Sequence, residues 1–160
     1  LEALRILKIV KYKPEHTLRL VFFMNEENGN MGGKTYASWS KTKGEIQYAA
    51  LESDRGGFAP RGFGVDGSAE QVNHLKSFES LFSTYDLNQW GKGGGGVDIG
   101  PLKEYFPGIP LYGFIPDSQR YFDFHHAPSD VFENVNKREL ELGAAAIGSF
   151  IYLVDSRPIN

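Results

Sequence analysis

The segment Asn25-Glu26-Glu27-Asn28-Gly29 sets two adjacent carboxylates directly after an apolar run, Leu18-Arg19-Leu20-Val21-Phe22-Phe23-Met24. On an extended segment successive side chains point to opposite sides, so one acid can hold a cation while its neighbour faces a reacting water. A third acid, Asp54, follows a second apolar stretch, and the paired histidines His125 and His126 stand further along. The chain has no cysteine, so any metal must be held by carboxylates and imidazoles, a donor set that suits zinc. The bland alternative for residues 25–29 is a solvated turn, since Asn-Gly is a turn former.

The elements that must position these groups follow from the pattern. Leu4, Ile6, Leu7 and Val10 recur at helical spacing over residues 1–12, with Arg5, Lys8 and Lys11 on the wet side and Pro14 ending the helix. Residues 18–24 are too short for a typical helix and rich in Val and Phe, which predicts a strand buried on both faces. A short helix over residues 34–43, closed by Gly44, leads to a second strand over 45–53 that delivers Asp54. If the two strands are parallel through that helix, Glu26, Glu27 and Asp54 share one sheet edge, the edge where ligands bind in open α/β sheets.

Downstream, residues 55–64 read as a glycine-rich strand and loop, and residues 69–85 as a helix with Val72, Leu75, Phe78, Leu81 and Phe82 buried. His74 among them reads as a packed or surface histidine. Gly91-Lys92-Gly93-Gly94-Gly95-Gly96-Val97-Asp98 lacks both a Gly-Lys-Ser/Thr ending and an evident preceding strand, so it is not read as a phosphate loop. Its glycines let the backbone turn beside a pocket, with Asp98 expected to cap a helix over residues 101–105. A strand over 109–115 and a short extended segment over 121–126 follow. The last element is a helix opened by Asn136 and Glu139, with Leu140, Ala144, Ile147, Ile151 and Val154 as its apolar stripe.

Composition narrows the function. A net charge of −3 gives no general basic field, which argues against nucleic acid as partner. No apolar run is long enough for a membrane-spanning helix. With 160 residues, 41% hydrophobic and 23% charged, the chain has the composition of one soluble domain. His-Glu-x-x-His and Gly-x-Ser-x-Gly are both missing, which removes thermolysin-like and serine-hydrolase readings.

Four blocks in order carry a more specific signal. They are Asn25-Glu26-Glu27-Asn28-Gly29 with Gly32-Gly33-Lys34, Glu52-Ser53-Asp54-Arg55-Gly56-Gly57-Phe58, Gly94-Gly95-Gly96-Val97-Asp98-Ile99, and His125-His126-Ala127-Pro128-Ser129-Asp130. Together they resemble the C-terminal half of the carboxypeptidase Q branch of the co-catalytic zinc exopeptidases, over nearly the whole chain. The resemblance implies a three-layer α/β/α fold with a mostly parallel, mixed central sheet, of which residues 1–160 form the C-terminal portion of a single catalytic domain. It also implies two zinc ions per complete site, Glu26 as general base, Glu27 and Asp54 as ligands of different zincs, and His126 as the histidine ligand.

By the same resemblance Asp130 orients the His126 ring, and His125, Tyr121 and Asp98 stand around the ligands or line a substrate pocket. The family's other His ligand and its bridging Asp come from a preceding segment, so the N-terminal half of the domain is expected to supply them. His16, ahead of the first strand, is a poor substitute. The implied partner is a short peptide with free termini, in a secreted or periplasmic setting, and a homodimer is left open. Arg55, Arg61, Lys92 and Arg120 are candidates to meet a substrate carboxylate, and Tyr121, Phe122 and Phe124 to line a side-chain pocket. Two other readings stand beside this one: a glutaminyl cyclase-like acyltransferase with one zinc, and a non-catalytic peptidase-like binding domain.

Overall fold

Large and small residues alternate along Phe63-Gly64-Val65, and this alternation organises the sheet. The computed structural model describes residues 1–159. Strand β2 (Pro60–Asp66) turns Phe63 and Val65 to one face, while Gly64 lies against the backbone of a loop crossing the other. β2 runs antiparallel to β4 (Leu111–Pro116) and parallel to β3 (Gln89–Lys92); β4 pairs parallel with β1 (Ala50–Glu52). The order is β1-β4-β2-β3, a mixed sheet in which two of the three pairings are parallel.

Helices cover both faces. On one, α3 (Ala69–Lys76), α4 (Glu79–Phe82) and α7 (Lys137–Ser156) close over an aromatic core in which Phe63 stacks on Phe150 with ring centres 4.0 Å apart. On the other, α2 (Met31–Thr42) and α5 (Leu102–Tyr105) pack Ala37 and Leu102 against Leu111 and Ala50. The expected three-layer α/β/α arrangement is therefore present. Helix α1 (Glu2–Ile9) lies on α7, where Gly148 admits the Ala3 backbone.

Several expectations need correction. Residues 18–24 form no strand: they have no sheet partner among the described residues, and Phe22 and Met24 are 73% and 78% exposed. Of residues 45–53 only 50–52 pair, and Ile46 is 94% exposed. The reason is shared. β1 is an edge strand whose outer side bonds to nothing among the described residues, and the 18–24 segment lies across a gap from it rather than beside it. The helix expected over 69–85 breaks at Ser77–Phe78 into α3 and α4, and Leu81 turns to solvent.

Residues 121–126 are not extended. They belong to helix α6 (Ser118–Phe124) and its C-terminal turn, started by Asp117 accepting from the Gln119 amide at 3.3 Å. β3 does precede the glycine run. Its glycines carry the chain tightly over the sheet, since a Cβ on Gly64 or Gly113 would fall into the backbone of Gly93 or Gly94. Asp98 does not cap α5, which has no side-chain cap.

On α7, Gly143, Ala146, Phe150 and Leu153 are buried; of the predicted stripe, Ile147 and Val154 pack against that core, and all five of its residues, Leu140, Ala144, Ile147, Ile151 and Val154, also line a cleft of about 1270 Å³. Its other walls are α1, residues 16–23 and residues 46–54.

Candidate active site

The two carboxylates are set by a strained tight turn. Asn25 and Asn30 both adopt left-handed backbone (φ 66° and 53°), a conformation Asn tolerates better than most residues. The Asn30 amide donates to the carbonyls of Asn25 and Glu26 at 3.0 and 3.1 Å, and the Gly32 amide returns to Met24 at 3.1 Å. The turn leaves Glu26 half-buried and Glu27 exposed.

His126 reaches this turn from the opposite wall. It is the first residue past the cap of α6 and also takes a left-handed conformation (φ 54°), while the Ala127 amide closes the helix on Phe124 at 2.9 Å. Its Nε2 lies 2.9 Å from Glu27 Oε1. His125 stacks between its neighbours, 4.1 Å from the His126 ring and 4.6 Å from Tyr121. Burial pushes the Tyr121 hydroxyl above its ordinary pKa; Asp54 adds to this, Arg55 opposes it, and Glu27 and Glu26 add further. Tyr121 thus lies within electrostatic reach of all three carboxylates.

Asp54 comes from the C-terminal end of β1, and the loop behind it is tied to α6 by the stacked rings of Phe58 and Phe124, 5.7 Å apart. Asp98 sits beyond Asp54. Burial, then Asp54, raises its carboxyl pKa, and its Oδ1 has no hydrogen-bond partner among the described residues. Asp130 is exposed and makes no hydrogen bond to His126 among those residues. His16 is engaged elsewhere: its Nδ1 and backbone amide both meet the buried Asp155, at 2.8 and 3.0 Å.

Glu52 is a site residue that sequence reasoning did not single out. Its Oε2 accepts from the Ile99 amide at 3.0 Å, and its carboxylate fills the space a Gly96 side chain would need. Burial raises its pKa, the Ile99 amide opposes this, and Asp98 and Asp54 raise it further. A signal was present, because Glu52 and Asp54 lie two residues apart at a strand end and so project to the same side. Asn30 joins the same loop through Nδ2 donating to the Val97 carbonyl at 2.5 Å.

An imidazole and a carboxylate 2.9 Å apart are donors that zinc takes, so Glu27 and His126 fit part of a zinc site. Among the described residues no third His, Asp or Glu joins them at ligand spacing.

The chain is a mixed α/β/α fold in which β1 leads to Asp54 and a separate turn brings Glu27 to His126. The sequence pattern of peptidase family M28 matches residues 1–151, and the chain belongs to that family. It is 30% identical to carboxypeptidase Q of Bos taurus over 153 residues and 29% identical to that of Homo sapiens, in each case across 96% of this chain and 32% of the relative. A crystal structure of a peptidase M28 precursor from Shewanella amazonensis superposes with a TM-score of 0.81 at 27% identity, covering 99% of this chain and 37% of that one. The chain thus spans about a third of the length of the relatives it matches.

Proposed function

We propose that the protein to which these residues belong is a zinc-dependent exopeptidase, an aminopeptidase or a dipeptidase/carboxypeptidase acting on short peptides. The observation that carries this reading is the meeting of Glu27 and His126 at 2.9 Å. Glu27 and His126 would hold one zinc and Asp54 the other. Zinc, when bound, lowers the pKa of water and polarises a carbonyl. Glu26 takes the proton from the attacking water and returns it to the leaving amine, the task of a positioned carboxylate. Its half-buried place in the turn limits its access to bulk water.

The remaining ligands come, on this reading, from residues outside these 160, and the chain alone binds zinc weakly and hydrolyses little. Among the described residues, the lack of any sheet partner for residues 18–24 and for the outer edge of β1 supports this, as does the apolar stripe of α7 lining the cleft between them. The test is hydrolysis of unblocked dipeptides by the longest natural form, with zinc and with chelator. Zinc-dependent turnover is the expected result. No turnover despite bound zinc would overturn the exopeptidase reading, and cyclisation of an N-terminal glutamine peptide would replace it with the acyltransferase one.

A further inference from the structure

Beside the turn, exposed Lys34 donates its Nζ to the Gly29 carbonyl at 3.0 Å; the other candidate cations are the half-buried Arg61 and Arg120 and the exposed Lys92 and Arg55. Arg61 is paired with Asp117 at 3.4 Å, and Arg120 is held by Glu139 at 2.6 and 2.8 Å while lying over the Phe58 ring. Lys92 ends β3, which runs opposite to β1 and β4 at the far side of the sheet, so it emerges at the edge away from Asp54. Arg55 differs from all three. It directly follows Asp54, it is exposed, and no carboxylate pairs with it among the described residues.

Its place is fixed by the loop. Gly56 takes a left-handed conformation (φ 77°) that turns the chain, and Phe58 then anchors it on Phe124 of α6. Arg55 therefore sits between Asp54 and the Phe58 anchor, close enough to α6 for its charge to act on Tyr121. A peptide terminus bearing a carboxylate approaches Glu26, Glu27 and Asp54 against their repulsion. A guanidinium left free at the rim offsets that repulsion, and its planar fork matches a carboxylate through two parallel hydrogen bonds.

We propose that Arg55 binds the free α-carboxylate of the peptide substrate, so that the site reads the carboxy-terminal side of the scissile bond. This assignment rests on the exopeptidase reading above and specifies its substrate end. The test compares the longest natural form with Arg55→Met and Arg55→Lys on one dipeptide, with its carboxy terminus free or amidated and its amino terminus free or acetylated. The unmodified protein should prefer the free carboxylate to the amide. In Arg55→Met that preference, as a ratio of kcat/KM values, should fall by about 10- to 100-fold, mainly through KM for the free acid. Arg55→Lys should restore part of it, and the zinc content of both variants should match that of the parent.

Turnover by the unmodified protein with an unchanged ratio in Arg55→Met would overturn the assignment alone. An equal loss on both substrates would do the same, because it would mark a structural role. Absence of turnover in the unmodified protein would overturn the exopeptidase reading, and this assignment with it.

Discussion

At the scale of single residues, the acids around the site differ in what they cost. Ionised Glu52 is opposed first by burial and then by Asp98 and Asp54, so its folded pKa stands above the ordinary 4.5. For an acid whose folded pKa is raised, stability falls as pH rises from 4.5 through the folded value, because the folded state holds its proton more tightly. Glu52→Gln keeps an acceptor for the Ile99 amide and removes the charge that burial opposes. In the metal-free chain its thermal midpoint should exceed the parent's at pH 7, with the difference shrinking below pH 4.5; a lower midpoint at pH 7 would refute this account of Glu52. The adjacent acids, Asp54 and the His pair were legible in the sequence because their blocks fall in a recognisable order. The contribution of Glu52 was not, since a glutamate at a strand end looks the same whether or not a glycine loop folds onto it.

At the scale of elements, two devices hold the frame. The loop over residues 93–96 crosses the sheet through glycine contacts, so Gly113→Ala should destabilise the fold by about 3 kcal/mol in denaturant unfolding. A cost within about 0.5 kcal/mol would show that the loop can lift away. At the end of α7, buried Asp155 accepts from the Tyr12 hydroxyl at 2.5 Å, from the Glu15 amide at 2.8 Å and from the backbone amide and Nδ1 of His16. Burial would raise its pKa, but these hydrogen bonds outweigh burial and hold it below the ordinary 3.8. For a depressed acid the stabilisation is complete above 3.8 and is lost as pH falls through the folded value. Asp155→Asn should therefore cost about 2 kcal/mol at pH 7 and bring the parent and variant together under strong acid. A gap that persisted in strong acid would argue against this anchor.

Helix α7 shows how far the pattern could be read. Its existence and cap were plain, with Asn136 accepting from the Glu139 amide at 3.1 Å. Its core face was obscured because it is built from Gly143 and Ala146 as well as Phe150 and Leu153, and small residues add little to a hydrophobic stripe. Residues 121–126 misled for the opposite reason: aromatic side chains favour strands on average, and the Asp117 cap that starts α6 stands outside the aromatic run.

At the scale of the whole molecule, the cleft between residues 16–23, residues 46–54 and α7 is the main unfinished feature. A Val- and Phe-rich run reads as a buried strand, yet burial depends on neighbours that composition does not specify, and here Phe22, Met24 and Ile46 face outward. If residues outside these 160 complete the sheet, amides of residues 18–24 and 46–49 should exchange hydrogen rapidly in the 160-residue chain. The same amides should be protected in the longest natural form. Equal exchange in both would mean that these segments stay unpaired in the larger protein.

We propose that Glu26 moves the proton while Glu27, Asp54 and His126 hold metal. The most direct test is Glu26→Gln in the longest natural form, measuring bound zinc and dipeptide turnover on the same sample. Zinc content should equal the parent's while turnover falls by about 100-fold or more. Parental turnover in that variant would contradict this proposal.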